Sequence, residues 1–243
     1  MQETLFFQAD GLRLHGCLHM PGAKNPPVVI GVHGMLSNGD SPKQKALAQR
    51  CNRMGLAYFR FDHRGCGQSQ GEFARVTTFD GRRNDLVAAI EMLRKRPDLS
   101  GALGLFGSSM GGAVVLSVAG AYDIRAFVTL AAPVRFSAIR VPLSHETDPA
   151  FEGIEPAQME FDASESLPMV HHILICHGDE DQIVPYENAL EIRDAAADPK
   201  QLLCLPGSDH PISNPVHQQT FMDTTLQWLE KHLVKPKLSV SDV

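Results

Sequence analysis

The sequence predicts an α/β domain built on a mostly parallel sheet with helices on both faces. Three observations predict it. From Pro27 onward, apolar runs of strand length alternate with segments of helical spacing. Runs such as Val28-Val29-Ile30 are apolar at every position, the mark of strands buried on both faces. The chain has 243 residues, 43% of them apolar, with 20 Gly and 16 Pro, enough for one large core with many turns. One domain over residues 1–243 is the expectation.

Each element has its own signal. Thr4 to Gln8 and Leu12 to His19 are strand-like runs joined at Asp10-Gly11, a hairpin signal, and should add antiparallel edge strands. Pro27 to Val32 is a buried strand ending at His33-Gly34. Pro42 to Met54 has helical spacing and stops at Gly55. Leu56 to Phe61 is the next strand, followed by a glycine-rich loop from Asp62 to Ser69. Thr77 to Arg96 reads as a long amphipathic helix, with Leu86, Ala89, Ile90 and Leu93 on one face. Ala102 to Phe106 is a strand, and Gly112 to Val118 reads as a buried helix. Ile124 to Ala131, Ile173 to Cys176 and Gln201 to Leu205 are further strands; Tyr186 to Ala196 and Val216 to Leu233 are helices. The polar tail, residues 235–243, should fray.

One segment breaks the rhythm. Arg135 to Pro168 has no clean period and carries Glu146, Asp148, Glu152, Glu155, Glu160, Asp162 and Glu165 among apolar residues (Ile139, Val141, Leu143, Phe151, Ile154, Met159, Phe161). An irregular connection of this length is usually functional or disordered. It reads as a short cap over the sheet, with a solvated surface excursion as the alternative. Its apolar residues have a second reading as a contact between two copies, so a homodimer is also an expectation.

Composition narrows the function class. The formal net charge is −6 and Lys and Arg form no stripe, so no nucleic-acid partner is expected. Cys17, Cys51, Cys66, Cys176 and Cys204 are far apart, which suits free thiols in a reducing compartment. The N-terminus lacks the pattern of a secretory signal and no run approaches membrane-spanning length. The chain is therefore expected to be cytoplasmic with no membrane partner. The histidines lack metal-ligand spacing, so no metal and no cofactor are expected.

Chemistry concentrates at Gly107-Ser108-Ser109-Met110-Gly111, between a strand and a helix. A GxSxG turn in that context lifts the central serine clear of the sheet. The glycines fit because a Cβ at either would strike the adjoining strand or helix. A serine hydroxyl is a poor nucleophile until a base accepts its proton and an acid orients that base. Functional groups in parallel sheets gather at strand carboxyl ends. The strand before His177-Gly178-Asp179-Glu180-Asp181 ends at an acid, and the strand before Gly207-Ser208-Asp209-His210 ends at a histidine. Ser109, Asp181 and His210 are thus the candidate catalytic residues. Asp179 is the rival acid and Ser108 the rival serine. His33 and His177 read as structural, His171, His172 and His217 as surface residues, and His145 as a solvated cap residue. Asp62 and Arg64 read as loop braces. The amide of Met110, at a helix N-terminus after the nucleophile, is a candidate oxyanion donor.

In order and in motifs the chain resembles the α/β-hydrolase superfamily over nearly its whole length. Asp62 to Ser69 resembles the family's D-x-R-G-x-G-x-S loop, and His177 to Pro185 its H-G-x-x-D-x-x-V-P turn. The stretch from Phe59-Arg60-Phe61-Asp62 through Gly71-Glu72-Phe73 looks most like bacterial esterases of the cinnamoyl (feruloyl) type and their uncharacterised relatives. The resemblance implies Asp181 as the acid and the amide of Met35, after His33-Gly34, as the second oxyanion donor. It also implies a small-molecule ester as substrate, cleaved through an acyl-enzyme. A thioesterase, an aminopeptidase-like amidase or a perhydrolase on the same residues, and a non-catalytic binding protein on this scaffold, are the other readings.

Overall fold

Alternate residues of the central strands face two separate apolar layers, which explains why their sequences are apolar throughout. The computed structural model describes residues 1–140 and 153–234. In β3 (Val28–Val32), Val28, Ile30 and Val32 enter one layer and Val29 the other. In β4 (Ala57–Phe61), Ala57, Phe59 and Phe61 point one way and Tyr58 the opposite way. Each Val, Leu, Ile or Phe side chain buried in this way contributes roughly 1.5–3 kcal/mol.

The sheet has eight strands in the order β1 (Gln2–Ala9), β2 (Leu12–His19), β4, β3, β5 (Leu103–Ser108), β6 (Ile124–Leu130), β7 (Ile173–Gly178), β8 (Lys200–Leu205). The β1–β2 and β2–β4 pairs are antiparallel and every other pair is parallel. The expected N-terminal hairpin therefore forms the antiparallel edge. Helices α1 (Pro42–Arg53) and α6 (Pro215–Leu229) cover one face with Leu47, Cys51, Phe221 and Trp228. Helices α3 (Phe79–Arg94), α4 (Met110–Leu116) and α5 (Glu187–Ala195) cover the other with Leu86, Ile90, Val114 and Ile192. A short α2 (Phe73–Val76) precedes α3.

Two helix starts differ by two residues from the sequence spacing. Helix α3 begins at Phe79 because Thr78 Oγ1 accepts the Gly81 amide proton at 2.8 Å, an N-cap. Helix α4 begins at Met110, directly after the serine turn. Among the described residues no helix is long and apolar enough to cross a membrane.

The described part of the Arg135–Pro168 segment packs against the domain. It forms 3-10 turns at Phe136–Ala138, Pro156–Met159 and Ser164–Met169. Ile154, Met159 and Leu167 are buried, and Phe161 stacks on Phe79 with ring centroids 4.2 Å apart. Val141, Leu143, His145, Glu146, Asp148, Phe151 and Glu152 lie outside the described residues, as does the expected tail 235–243.

The topology fixes where a site forms. Strands β4 and β5 flank β3 on opposite sides, so the winding reverses at β3 and a crevice opens at the strand carboxyl ends. The loops after β3, β5, β7 and β8 meet there.

Candidate active site

Ser109 sits at the turn between β5 and α4 with φ 53° and ψ −125°. A non-glycine residue in such a region stores about 1–3 kcal/mol of strain, held by its surroundings. The holding contacts are local. The Ser109 amide donates to the Leu130 carbonyl at 2.8 Å, and the Ser109 carbonyl accepts from the Gly112 amide at 2.7 Å. The glycines act sterically as the motif implies: a Cβ at Gly107 would land on the Gly111 carbonyl, and one at Gly111 on the Val32 carbonyl.

Three residues that the sequence separates widely form one chain of hydrogen bonds. His210 Nε2 lies 3.0 Å from Ser109 Oγ, and His210 Nδ1 lies 2.7 Å from Asp181 Oδ2. With Nδ1–H donating to a carboxylate, Nε2 presents its lone pair to the serine hydroxyl. Asp181 is 5% exposed. Its Oδ1 accepts from the amides of Ile183 and Val184 at 2.9 and 2.8 Å. Burial alone would raise its carboxyl, but the hydrogen bonds from His177, His210 and the Val184 amide outweigh it and hold the group well below the usual carboxylate range. Asp181 therefore stays ionised beside the imidazole.

The rivals have other work. Asp179 is exposed, and its Oδ1 accepts from the Gly207 amide at 2.6 Å, bracing the loop that carries His210. Ser108 Oγ accepts from Lys43 Nζ at 3.5 Å. His177 is buried, its Nε2 donating to the Val184 carbonyl at 2.8 Å, so it is structural as expected. His171, His172 and His217 are half-buried where surface positions were expected. The reason for His217 is that it pairs with the buried Ser208 in the His210 loop.

The loop after β3 is held from behind. His33 Nδ1 donates to the Gly34 carbonyl at 2.7 Å, while its Nε2 accepts from the His63 amide at 3.1 Å. Burial, with His63 and Arg82 nearby, pushes His33 well down, which keeps it neutral and fixes that tautomer. Arg82 contributes Nη1 to the Gly34 carbonyl at 3.4 Å and Nη2 to the Met35 carbonyl at 3.1 Å. In a trans peptide the C=O and N–H point in opposite directions. Anchoring the Gly34 carbonyl on the protein side therefore turns the Met35 N–H the other way. The Met110 N–H is the first of α4 and has no acceptor within the helix. Neither amide hydrogen-bonds to another described residue. Asp62 braces the same region by accepting from Gly39 and Gln68 amides at 2.8 and 3.0 Å and from His15 at 3.0 Å.

A cavity of about 760 Å³ opens beside Ser109. Phe136, Ile139, Ile154 and Met159 of the cap segment wall one part, and Ala46, Phe221 and Met222 another. Met35 and Met110 also line it.

Residues 23–148, just over half of the chain, match the Hydrolase_4 family of α/β-hydrolases, described as serine aminopeptidase, S33. The chain belongs to this family. The match includes Met35, Ser109 and Met110 and ends before Asp181 and His210. YfhR of Escherichia coli K12, an uncharacterised protein, is 30% identical over 225 residues, spanning 86% of this chain and 73% of its own. ABHD10 of Rattus norvegicus, a mitochondrial palmitoyl-protein thioesterase, is 26% identical over 213 residues, spanning 77% of this chain and 69% of its own. The structure of Est1E from Butyrivibrio proteoclasticus with ferulic acid bound superposes with a TM-score of 0.79 at 20% identity, over 95% of this chain and 100% of that one. The fold expected from the sequence is thereby shown.

Within this hydrolase, four residues at the site carry little sequence signal. Arg82 and Asp85 sit at buried positions of α3, on the face of Leu86 and Ala89. Asp85 accepts from the Arg64 amide at 2.9 Å, from Arg64 Nε and Nη2 at 2.9 and 2.8 Å, and from His63 Nδ1 at 3.1 Å. A charge on an apolar helix face was the available signal. Lys43 had none, and His33 was marked only as a structural residue before Gly34.

Proposed function

We propose that the chain is a serine hydrolase that cleaves carboxylic esters of small molecules through an acyl-enzyme on Ser109. The observation that carries this reading is the continuous hydrogen-bonded run from Ser109 Oγ through His210 to Asp181, at 3.0 and 2.7 Å. In the proposed reaction Ser109 Oγ attacks the acyl carbon while His210 Nε2 takes its proton. The imidazolium then returns a proton to the leaving alcohol. Asp181 holds the ring and stabilises its charge. The amides of Met35 and Met110 receive the oxyanion, each worth roughly 3 kcal/mol in the transition state. Water, activated by His210, releases the acid and restores Ser109.

A thioester is the second reading. It is favoured by the 26% identity to ABHD10 and by the apolar walls of the cavity, which suit an acyl chain. An aminopeptidase would need a carboxylate to hold the substrate amine; among the described residues no Asp or Glu lines the cavity. A cytoplasmic location accompanies the proposal, supported by five cysteines with no disulfide among them.

The test is a panel of 4-nitrophenyl esters from acetyl to long acyl, with a hydroxycinnamoyl ester and an acyl thioester, using the wild type and Ser109→Ala together. Ser109-dependent ester turnover supports the reading. Turnover of the thioester alone would shift it to thioester hydrolysis, and no turnover would favour a binding role.

A further inference from the structure

Among the described residues lining the cavity, Lys43 is the sole Lys or Arg. It is half-buried at the start of α1, and its Nζ donates to Ser108 Oγ at 3.5 Å, next to the nucleophile in sequence. No carboxylate among the described residues pairs with it. Three other cations that lose solvent are paired with carboxylates, Arg60 with Asp40, Arg64 with Asp85 and Asp10, and Arg96 with Glu3 and Asp98, and the fully buried Arg82 is held by the Gly34 and Met35 carbonyls. A desolvated ammonium with one weak neutral acceptor is costly unless a partner arrives. The cost is visible in its acidity, since burial lowers Lys43 to about 8. It nonetheless remains mostly protonated at neutral pH.

We propose that Lys43 is the subsite for a carboxylate on the substrate, so that the natural ester carries a free carboxylate near the scissile acyl group. This rests on the ester-hydrolase reading above. One positive charge balances one monoanion, which favours a carboxylate over a doubly charged phosphate. The apolar walls formed by Ala46, Phe221 and Met222 take the methylenes between the two ends. The first turn of α1 has no acidic residue, and its aligned peptide dipoles add positive potential for the same anion. Among the described residues, the other titratable groups lining the cavity are His33 and His210. Neither offers a negative charge to Lys43, and His210 serves charged and neutral esters alike.

The experiment compares mono-4-nitrophenyl adipate with its neutral methyl ester, methyl 4-nitrophenyl adipate, by the ratio of their kcat/KM values. It uses the wild type, Lys43→Met, Lys43→Arg and Ser109→Ala. Wild type is expected to favour the charged ester. Lys43→Met is expected to lower the ratio about tenfold, chiefly through KM, and Lys43→Arg to restore most of it. In the wild type the ratio is expected to fall between pH 7 and pH 9. A ratio equal in wild type and Lys43→Met and flat across that range would overturn the carboxylate subsite while Ser109-dependent hydrolysis stands. If wild type turns over neither ester faster than Ser109→Ala, the ester-hydrolase reading itself fails and the subsite falls with it.

Discussion

Arg82 Nη2 donates to the Met35 carbonyl at 3.1 Å, and the Arg82 side chain has no solvent exposure. A fully buried guanidinium is an expensive component, and its lowered pKa, caused first by burial, reflects that. Its Nη1 also donates to the Gly34 carbonyl at 3.4 Å, and that carbonyl shares a peptide with the Met35 N–H, which ties the cost to the direction of one amide. Arg82 is thus a positioning residue for the proposed oxyanion donor.

Arg82→Leu is expected to lower kcat on 4-nitrophenyl butyrate by roughly 10²-fold, the scale of one lost oxyanion donor, with a smaller change in KM. Arg82→Lys, which keeps a donor, should recover part of it. Steady-state kinetics on protein shown to be folded by circular dichroism decides the point. Unchanged kcat in folded Arg82→Leu would mean that the peptide is held without the guanidinium.

Asp181 and Asp179 separate cleanly by their partners. Asp181→Asn removes the acceptor that fixes the His210 tautomer and should cost roughly 10³–10⁴-fold in kcat. Asp179→Asn touches only the Gly207 amide and should cost far less. Parallel measurement of both variants on one ester is sufficient, and equal losses would reassign the acid.

Acid sensitivity follows from His63. Burial, the leading cause, lowers it to about 4 despite the Asp85 partner, while the unfolded chain titrates near the ordinary value of 6.5. Between those values the unfolded state binds a proton that the folded state refuses, so stability is full above about pH 6.5 and falls as pH drops toward 4. His33 is displaced in the same direction. Each histidine contributes at most about 1.4 kcal/mol per pH unit. Urea unfolding at pH 5, 6 and 7 should show this slope, and His63→Asn should reduce it by up to one proton. Identical slopes in the two proteins would contradict the assignment.

The legible parts of the molecule are those written locally. Ser109 lies inside a five-residue motif between a strand and a helix, and His210 follows an apolar strand, so short windows pointed to both; they narrowed the acid to Asp179 or Asp181, and the family resemblance chose Asp181. Burial of the central strands on both faces likewise reads directly from runs such as Val28-Val29-Ile30. The bracing beneath the site was not legible because its pairs are remote: Arg82 and Met35 are separated by 47 residues, and His15 and Asp62 also by 47. Lys43 illustrates a second limit. Sequence shows a lysine at a helix start, a position that usually means a solvated charge, and only the fold brings its ammonium to Ser108. The Arg135–Pro168 segment lacked a period because its described part is made of 3-10 turns that bury single residues such as Met159 and Leu167.

The most direct measurement is covalent trapping. The wild type is treated with a fluorophosphonate at neutral pH and the modified residue is located by peptide mass spectrometry, with Ser109→Ala and His210→Ala in parallel. A stoichiometric adduct on Ser109, absent from Ser109→Ala and strongly slowed in His210→Ala, is the expected result. No adduct, or an adduct on Ser108 that persists in Ser109→Ala, would contradict an acyl-enzyme on Ser109.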